Sequence, residues 1–179
     1  IKRALRAGKA VVTANKELIA REGHGLLELA TETGQDLYFE ASVAGGIPII
    51  RTLKESLTAN RIKGIYGIIN GTTNYILTKM SQEGSSLQAA LAKAQQRGYA
   101  EADPSSDLEG WDAAYKLAIL SSIAFGSRVE MDKVHVEGIG SIGPVDLKYC
   151  QELGYTLKLL AIGKNLPAGI QARVHPTFI

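Results

Sequence analysis

The chain carries a single cysteine, Cys150, so neither an internal disulfide nor a multi-thiolate metal site can form. One isolated thiol fits a reducing, cytoplasmic setting. No apolar run reaches the roughly 18 to 20 residues of a membrane span, and no signal peptide is visible, so no membrane partner is expected. Neither sign of charge dominates: 20 basic and 18 acidic residues leave a formal net charge of +2, and the basic residues are scattered. Nothing in that balance calls for nucleic acid. His24, His135 and His175 stand too far apart for metal-ligand spacing. Two signatures are absent: the G-x-S-x-G of serine nucleophiles and the GxxxxGK[ST] phosphate loop. There is no internal repeat and no low-complexity segment.

What is present suits one folded unit of ordinary domain size. Hydrophobic residues make up 45% of the 179, enough for a sizeable core. Residues 1–7 read as the end of a helix stopped by Gly8, and the chain starts at Ile1 without methionine, as a fragment of a longer protein would. Ala10 to Thr13 reads as a strand, Lys16 to Thr33 as a long helix ended by Gly34, and Leu37 to Ser42 as a second strand. Strand, helix and strand at these lengths predict a βαβ unit. Further helices are expected at Pro48 to Ala59 and from Ser85 to Gly98. Ser85 and Gln88 have capping-box spacing, and Thr72 or Thr73 is the expected cap of a short helix after the Asn70-Gly71 turn signal. Strands are expected at 62–69, 133–137, 156–163 and 170–175, with a helix at 147–153. The strongest helix is WDAAYKLAILSSIAFG, with Ser106 and Glu109 ahead of it at capping-box spacing. The fold class is therefore α/β passing into α+β: the residual end of a Rossmann-like βαβ part, then a mixed-sheet α+β domain.

The segment GYAEADPSSDLEGWDAAYK concentrates the chemistry. Asp112 and Lys116 are four apart and share a helix face. Two readings stay open. They form a solvated ion pair worth a few tenths of a kcal/mol. Or Lys116, the last charge before an uncharged run, is a proton donor and acceptor with Asp112 as its partner. Glu101 and Asp107 are either ligand-binding acids or members of a solvated loop. In VVTANKEL, Asn15 and Lys16 follow a strand and open a helix, where open α/β sheets hold ligands; an ordinary exposed first-turn lysine is the alternative. In YFEASVAGGIPII the glycines could present carbonyls to a cation, or simply form a flexible turn.

Taken together, VVTANK, FEASVAGGIP, GIINGTTNYIL and GYAEADPSSDLEGWDAAYK resemble homoserine dehydrogenase, in that family's order and over about the first two-thirds of the chain; LGYTLKLLAIG is also similar. The resemblance implies an oxidoreductase that interconverts L-homoserine and L-aspartate 4-semialdehyde with NADP or NAD, in threonine, methionine and isoleucine synthesis. It implies Lys116 as proton donor with Asp112 beside it, and Glu101 and Asp107 as substrate-side acids. Gly71 and Thr72 become the pocket wall, and Lys16 with Asn15 the boundary to the cofactor. Glu40, Val43, Gly45 and Ile47 become a sodium site, mostly through backbone carbonyls. It implies a homodimer, to which the apolar runs 62–69 and 117–125 are suited. Residues 1–42 would be the end of the dinucleotide-binding domain and 43–179 the catalytic, substrate-binding and dimerisation domain, so the chain alone is expected to be inactive. A non-enzymatic binding or assembly domain, or another semialdehyde dehydrogenase with a similar second domain, is the alternative.

Overall fold

The computed structural model describes residues 1–179, which form two compact units. The first comprises residues 1–64, 115–134 and 164–172; the second comprises 65–114, 135–163 and 173–179.

In the first unit, α1 (Lys2–Arg6) packs on α2 (Lys16–Thr33), which joins the two short parallel strands β1 (Val11–Val12) and β2 (Leu37–Tyr38). This is the expected βαβ unit. Asn15 starts α2 by accepting from the Leu18 amide at 3.0 Å, and Gly34 ends it at a φ of +62° that residues with a Cβ avoid. Ile19, Gly23, Leu26 and Ala30 form its buried face, at the spacing of one helix stripe. The second strand is shorter than Leu37 to Ser42. After Tyr38 the chain folds into a 3-10 turn (Glu40–Ser42), because both the amide and the hydroxyl of Ser42 bond back to the Phe39 carbonyl. The helix expected at Pro48 to Ala59 is likewise compressed into α3 (Ile49–Arg51), which runs on as a π-helical turn (Thr52–Ser56). The later part of α7 (Trp111–Phe125) lies in this unit, where Leu117, Ala118, Ile119, Leu120 and Ser121 are all buried.

Most of a mixed sheet of strand order β3-β5-β6-β4 belongs to the second unit: β3 (Gly64–Gly67), β4 (His135–Val136), β5 (Leu157–Leu166) and β6 (Gly169–Phe178), with Gly64 and the hairpin tip at 164–172 counted in the first. The strand expected at 62–69 pairs only over its middle four residues. β5 and β6 form a hairpin whose open end is closed by reciprocal bonds between Thr156 and Ile179, while β4 lies parallel to β6. Over Leu157 to Ala161 the residues of β5 alternate between buried and half-buried, as a sheet face requires. Helices α4 (Gly71–Glu83), α5 (Leu87–Gln96), α6 (Ser105–Leu108) and α8 (Pro144–Glu152) complete the unit, with α4 against α5, α6 and α8.

Three expected caps fall elsewhere. Ser86, one residue beyond Ser85, caps α5 by accepting from the Ala89 amide. Asn70, not a threonine, caps α4. Ser106 sits inside the separate helix α6 and Glu109 follows that helix, so neither boxes the start of α7. For α5 and α4 the cap is the residue that leaves the preceding loop with extended backbone, Ser86 and Asn70, which spacing alone does not encode. No helix is long and apolar enough to cross a membrane.

Candidate active site

β3 leads into α4 through Asn70, and the side chain of Asn70 organises the second unit's polar centre. Its Oδ1 accepts from the backbone amide and the hydroxyl of Thr73, both at 2.8 Å. Its Nδ2 donates to Asp107 Oδ1 at 2.6 Å and to Asp112 Oδ2 at 2.8 Å. Asn70 and Asp112 are each 5% exposed, and Thr73 is fully buried. Asp112 is therefore no member of a solvated surface pair; it is a buried carboxylate held by a neutral donor. Burial of a charge is costly unless it is hydrogen-bonded, and the amide supplies part of that requirement.

The turn that joins α6 to α7 carries Asp107 on one side and Asp112 on the other. It is pinned by the Ile139 amide, which donates to the Leu108 carbonyl at 2.8 Å. Gly138 lets that segment approach: a Cβ there would stand 2.2 Å from the Leu108 carbonyl oxygen. Next to the cluster, the Thr72 hydroxyl donates to the Tyr99 carbonyl at 2.7 Å, tying the first turn of α4 to the loop that leads to Glu101. Glu101 itself is exposed, and Gln95 Nε2 donates to its carbonyl at 3.0 Å. Asp103 accepts from the hydroxyl and amide of Ser105, which holds its carboxyl below the usual range. Gly71 is the first residue of α4. Asn70 thus joins Asp107 to Asp112, Gly71 and Thr72 follow it in the first turn of α4, and Thr72 ties that turn to the loop that carries the exposed Glu101.

The lysines lie in the first unit. Lys16 is the first residue of α2, directly after the Asn15 cap and at the carboxyl end of β1. Lys116, half-buried, stands one turn beyond Asp112 along α7. The neighbours of these two lysines are joined: Tyr115 donates to Glu17 at 3.1 Å and accepts from Arg21 at 2.9 Å, while the Arg21 guanidinium lies 5.3 Å from the Tyr115 ring centroid. The first turn of α2 is thereby fixed against α7. Neither this clamp nor Asn70 was among the residues that sequence reasoning selected. Asn70 carried a signal nonetheless: an asparagine three residues before a threonine, at the end of an apolar strand, is a helix-cap arrangement as well as a turn.

The glycine-rich segment behaves differently. Glu40 accepts from the Ile50 and Arg51 amides, both at 2.9 Å, so its carboxylate caps α3. Ala44 and Gly45 have successive left-handed φ values of 58° and 56°, forming a tight turn between the buried Val43 and the exposed Ile47. No group of three or more His, Cys, Asp or Glu side chains is placed to hold a metal. Cys150 is buried on α8, outside every one of these groups.

Two family models match the chain: homoserine dehydrogenase over residues 48–179, and the NAD-binding domain of homoserine dehydrogenase over residues 1–40. The chain is 52% identical over 176 residues to the homoserine dehydrogenase of Bacillus subtilis and 49% identical over 177 residues to that of Neisseria gonorrhoeae. These alignments cover 98% and 99% of the chain but 41% of each relative, so the chain spans about two-fifths of their length. Among solved structures, a homoserine dehydrogenase from Thiobacillus denitrificans superposes with a TM-score of 0.96 at 50% identity, over 99% of this chain and 41% of that one. A hyperthermophilic archaeal homoserine dehydrogenase mutant, solved in complex with NADPH, gives 0.82 at 35% identity, over 99% and 51%. On this evidence the chain belongs to the homoserine dehydrogenase family.

Proposed function

We propose that this chain forms the catalytic core of an NAD(P)-dependent homoserine dehydrogenase, interconverting L-homoserine and L-aspartate 4-semialdehyde in the synthesis of threonine, methionine and isoleucine. The observation that carries this reading is the buried Asp112, bonded to Asn70, one turn before Lys116 on a single helix within the family-matched region.

The parallel β1–α2–β2 unit, with its capped helix start at Asn15 and Lys16, fits the edge of a dinucleotide site. Bound there, the nicotinamide supplies the hydride. The chain's own residues do the rest. Lys116 donates the proton to the aldehyde oxygen during reduction, and its ammonium stabilises the negative charge that grows there. In the oxidative direction the neutral amine takes the proton back. Asp112 keeps this lysine in place, and Asp107 and Glu101 receive the substrate's amine or hydroxyl. Gly71 and Thr72 wall the pocket. Asn15 and Lys16 stand on the cofactor side.

The same reading divides the chain at residue 42 into the end of a dinucleotide-binding domain and the catalytic and dimerisation domain. It gives a homodimer in a reducing cytoplasm and leaves the isolated chain without turnover. A sodium ion at Glu40, Val43, Gly45 and Ile47 is part of it, supported by the tight left-handed turn at Ala44 and Gly45.

The test is steady-state kinetics on the full-length protein. Homoserine oxidation is expected in the parent. Lys116→Ala should lower kcat by about 100-fold or more, since it loses both the proton source and the charge, while cofactor affinity changes little. A folded Lys116→Ala protein with near-parental kcat would overturn the assignment.

A further inference from the structure

We infer that Asn70 is a positioning residue: its one amide group sets the distance and orientation between the substrate-side acid Asp107 and the lysine's partner Asp112. This rests on the functional reading above. Asn70 belongs to none of the roles that reading distributes, yet its side-chain nitrogen is bonded to both carboxylates.

The geometry leaves the amide one orientation. Thr73 presents a backbone N–H, which can only donate, so the oxygen of Asn70 must face Thr73. Both amide hydrogens are then directed at the aspartates. A flipped amide would set its oxygen against two carboxylates and its NH2 against an N–H, losing all three bonds. Because the two acceptor oxygens lie 2.6 and 2.8 Å from one nitrogen, they stand no more than 5.4 Å apart. Two carboxyl groups held that close, one buried and one half-buried, crowd each other's polar oxygens where water is partly excluded. A donor shared between the two carboxylates offsets that crowding and fixes their spacing.

The scaffold holds the amide as firmly as the amide holds the acids. Asn70 is the N-cap of the thirteen-residue helix α4, and its oxygen is locked by two bonds to the buried Thr73. The rigid first turn of α4 is therefore transmitted through one planar group to residues on α6 and α7. Reacting groups must be held to within a fraction of an ångström, and a misplacement of about 1 Å can cost on the order of 100-fold in rate. Asn70 separates two functions that are otherwise easy to confuse. Its oxygen builds the helix cap; its nitrogen builds the site.

That separation defines the experiment, on the full-length protein. Asn70→Ser keeps a good cap oxygen and removes the amide donor. It should stay folded by circular dichroism, lower kcat by about 10-fold or more and raise the homoserine KM, with the KM for the nicotinamide cofactor unchanged. A residue that only capped α4 would move neither kcat nor the homoserine KM. The second arm exchanges donor and acceptor. Asn70→Asp places a third carboxylate against two, whereas Asn70→Asp combined with Asp107→Asn restores one donor between positions 70 and 107. The double variant should exceed, by about 10-fold, the kcat/KM predicted by multiplying the effects of its two single changes. A folded Asn70→Ser protein with both homoserine parameters within twofold of the parent would refute the positioning role, as would strict multiplicativity in the exchange. Should the parent itself fail to oxidise homoserine, the functional reading falls; an active parent with an indifferent Asn70→Ser variant sinks this inference alone.

Discussion

If the proposed function holds, Gly138→Ala should lower homoserine oxidation by the full-length protein without changing any residue assigned to the substrate. The glycine lies against the turn between α6 and α7, and an added Cβ would stand 2.2 Å from the Leu108 carbonyl oxygen, 2.6 Å from Glu109 Cα and 2.9 Å from the Glu109 carbonyl carbon. All three are backbone atoms, so no rotamer change relieves the overlap. Ordinary contact begins near 3.4 Å, so the turn must retreat by about 1 Å. Overpacking of this kind costs about 1–3 kcal/mol. Losing the bond from the Ile139 amide to the Leu108 carbonyl adds about 1 kcal/mol. At roughly 2–4 °C per kcal/mol, the unfolding midpoint should fall by roughly 5–15 °C. The larger consequence is functional, because the turn carries Asp107 at one end and Asp112 at the other. A displacement of about 1 Å there predicts a loss on the order of 100-fold in kcat/KM at temperatures where the variant is still folded. The assay pairs thermal denaturation with homoserine oxidation in the full-length protein. Gly140→Ala serves as the control, since a Cβ at that position meets nothing within 4 Å. Equal activity and equal midpoints for the two variants would refute the argument that close backbone approach at Gly138 fixes the acid pair.

Other outcomes follow from the same structure. Glu83 accepts from Lys79 and from Lys93, joining α4 to α5, and these bonds bring its carboxyl from 4.5 down to about 2. Because its folded value is depressed, its contribution is complete above pH 4.5 and is lost as pH falls towards 2. A carboxyl titration by nuclear magnetic resonance should show this, and a midpoint at 4.5 would contradict the bridge. Cys150 is 1% exposed and burial pushes its thiol up, so a thiol reagent should label it only after denaturation; complete labelling of the native protein within minutes at pH 8 would show that α8 opens readily.

Much of the fold was legible in the sequence because it follows from local rules. The βαβ start, the exact span of α2 and the buried course of α7 come from periodic apolar residues bounded by Asn15, Gly34 and Gly126, signals that act within a turn or two of the chain. The four ordered motifs identified the family, and through that resemblance they put forward Asp107, Asp112, Lys16 and Lys116 as the residues to test. The sequence could not say whether Asp112 and Lys116 lay in solvent, since i,i+4 spacing is the same on either face of a helix. Only the tertiary structure buries Asp112, and it does so by bringing Asn70 to it across 42 residues of chain. The same holds for Asn70 itself: an Asn-Gly pair specifies a local bend, whereas its role as a bridge between two carboxylates exists only once α4, α6 and α7 are assembled. Tyr115 shows the limit most plainly, because its partners Glu17 and Arg21 lie 98 and 94 residues away. Backbone propensity and apolar period are properties of neighbours in sequence, but the electrostatic setting of a side chain is decided by whichever residues folding brings to it.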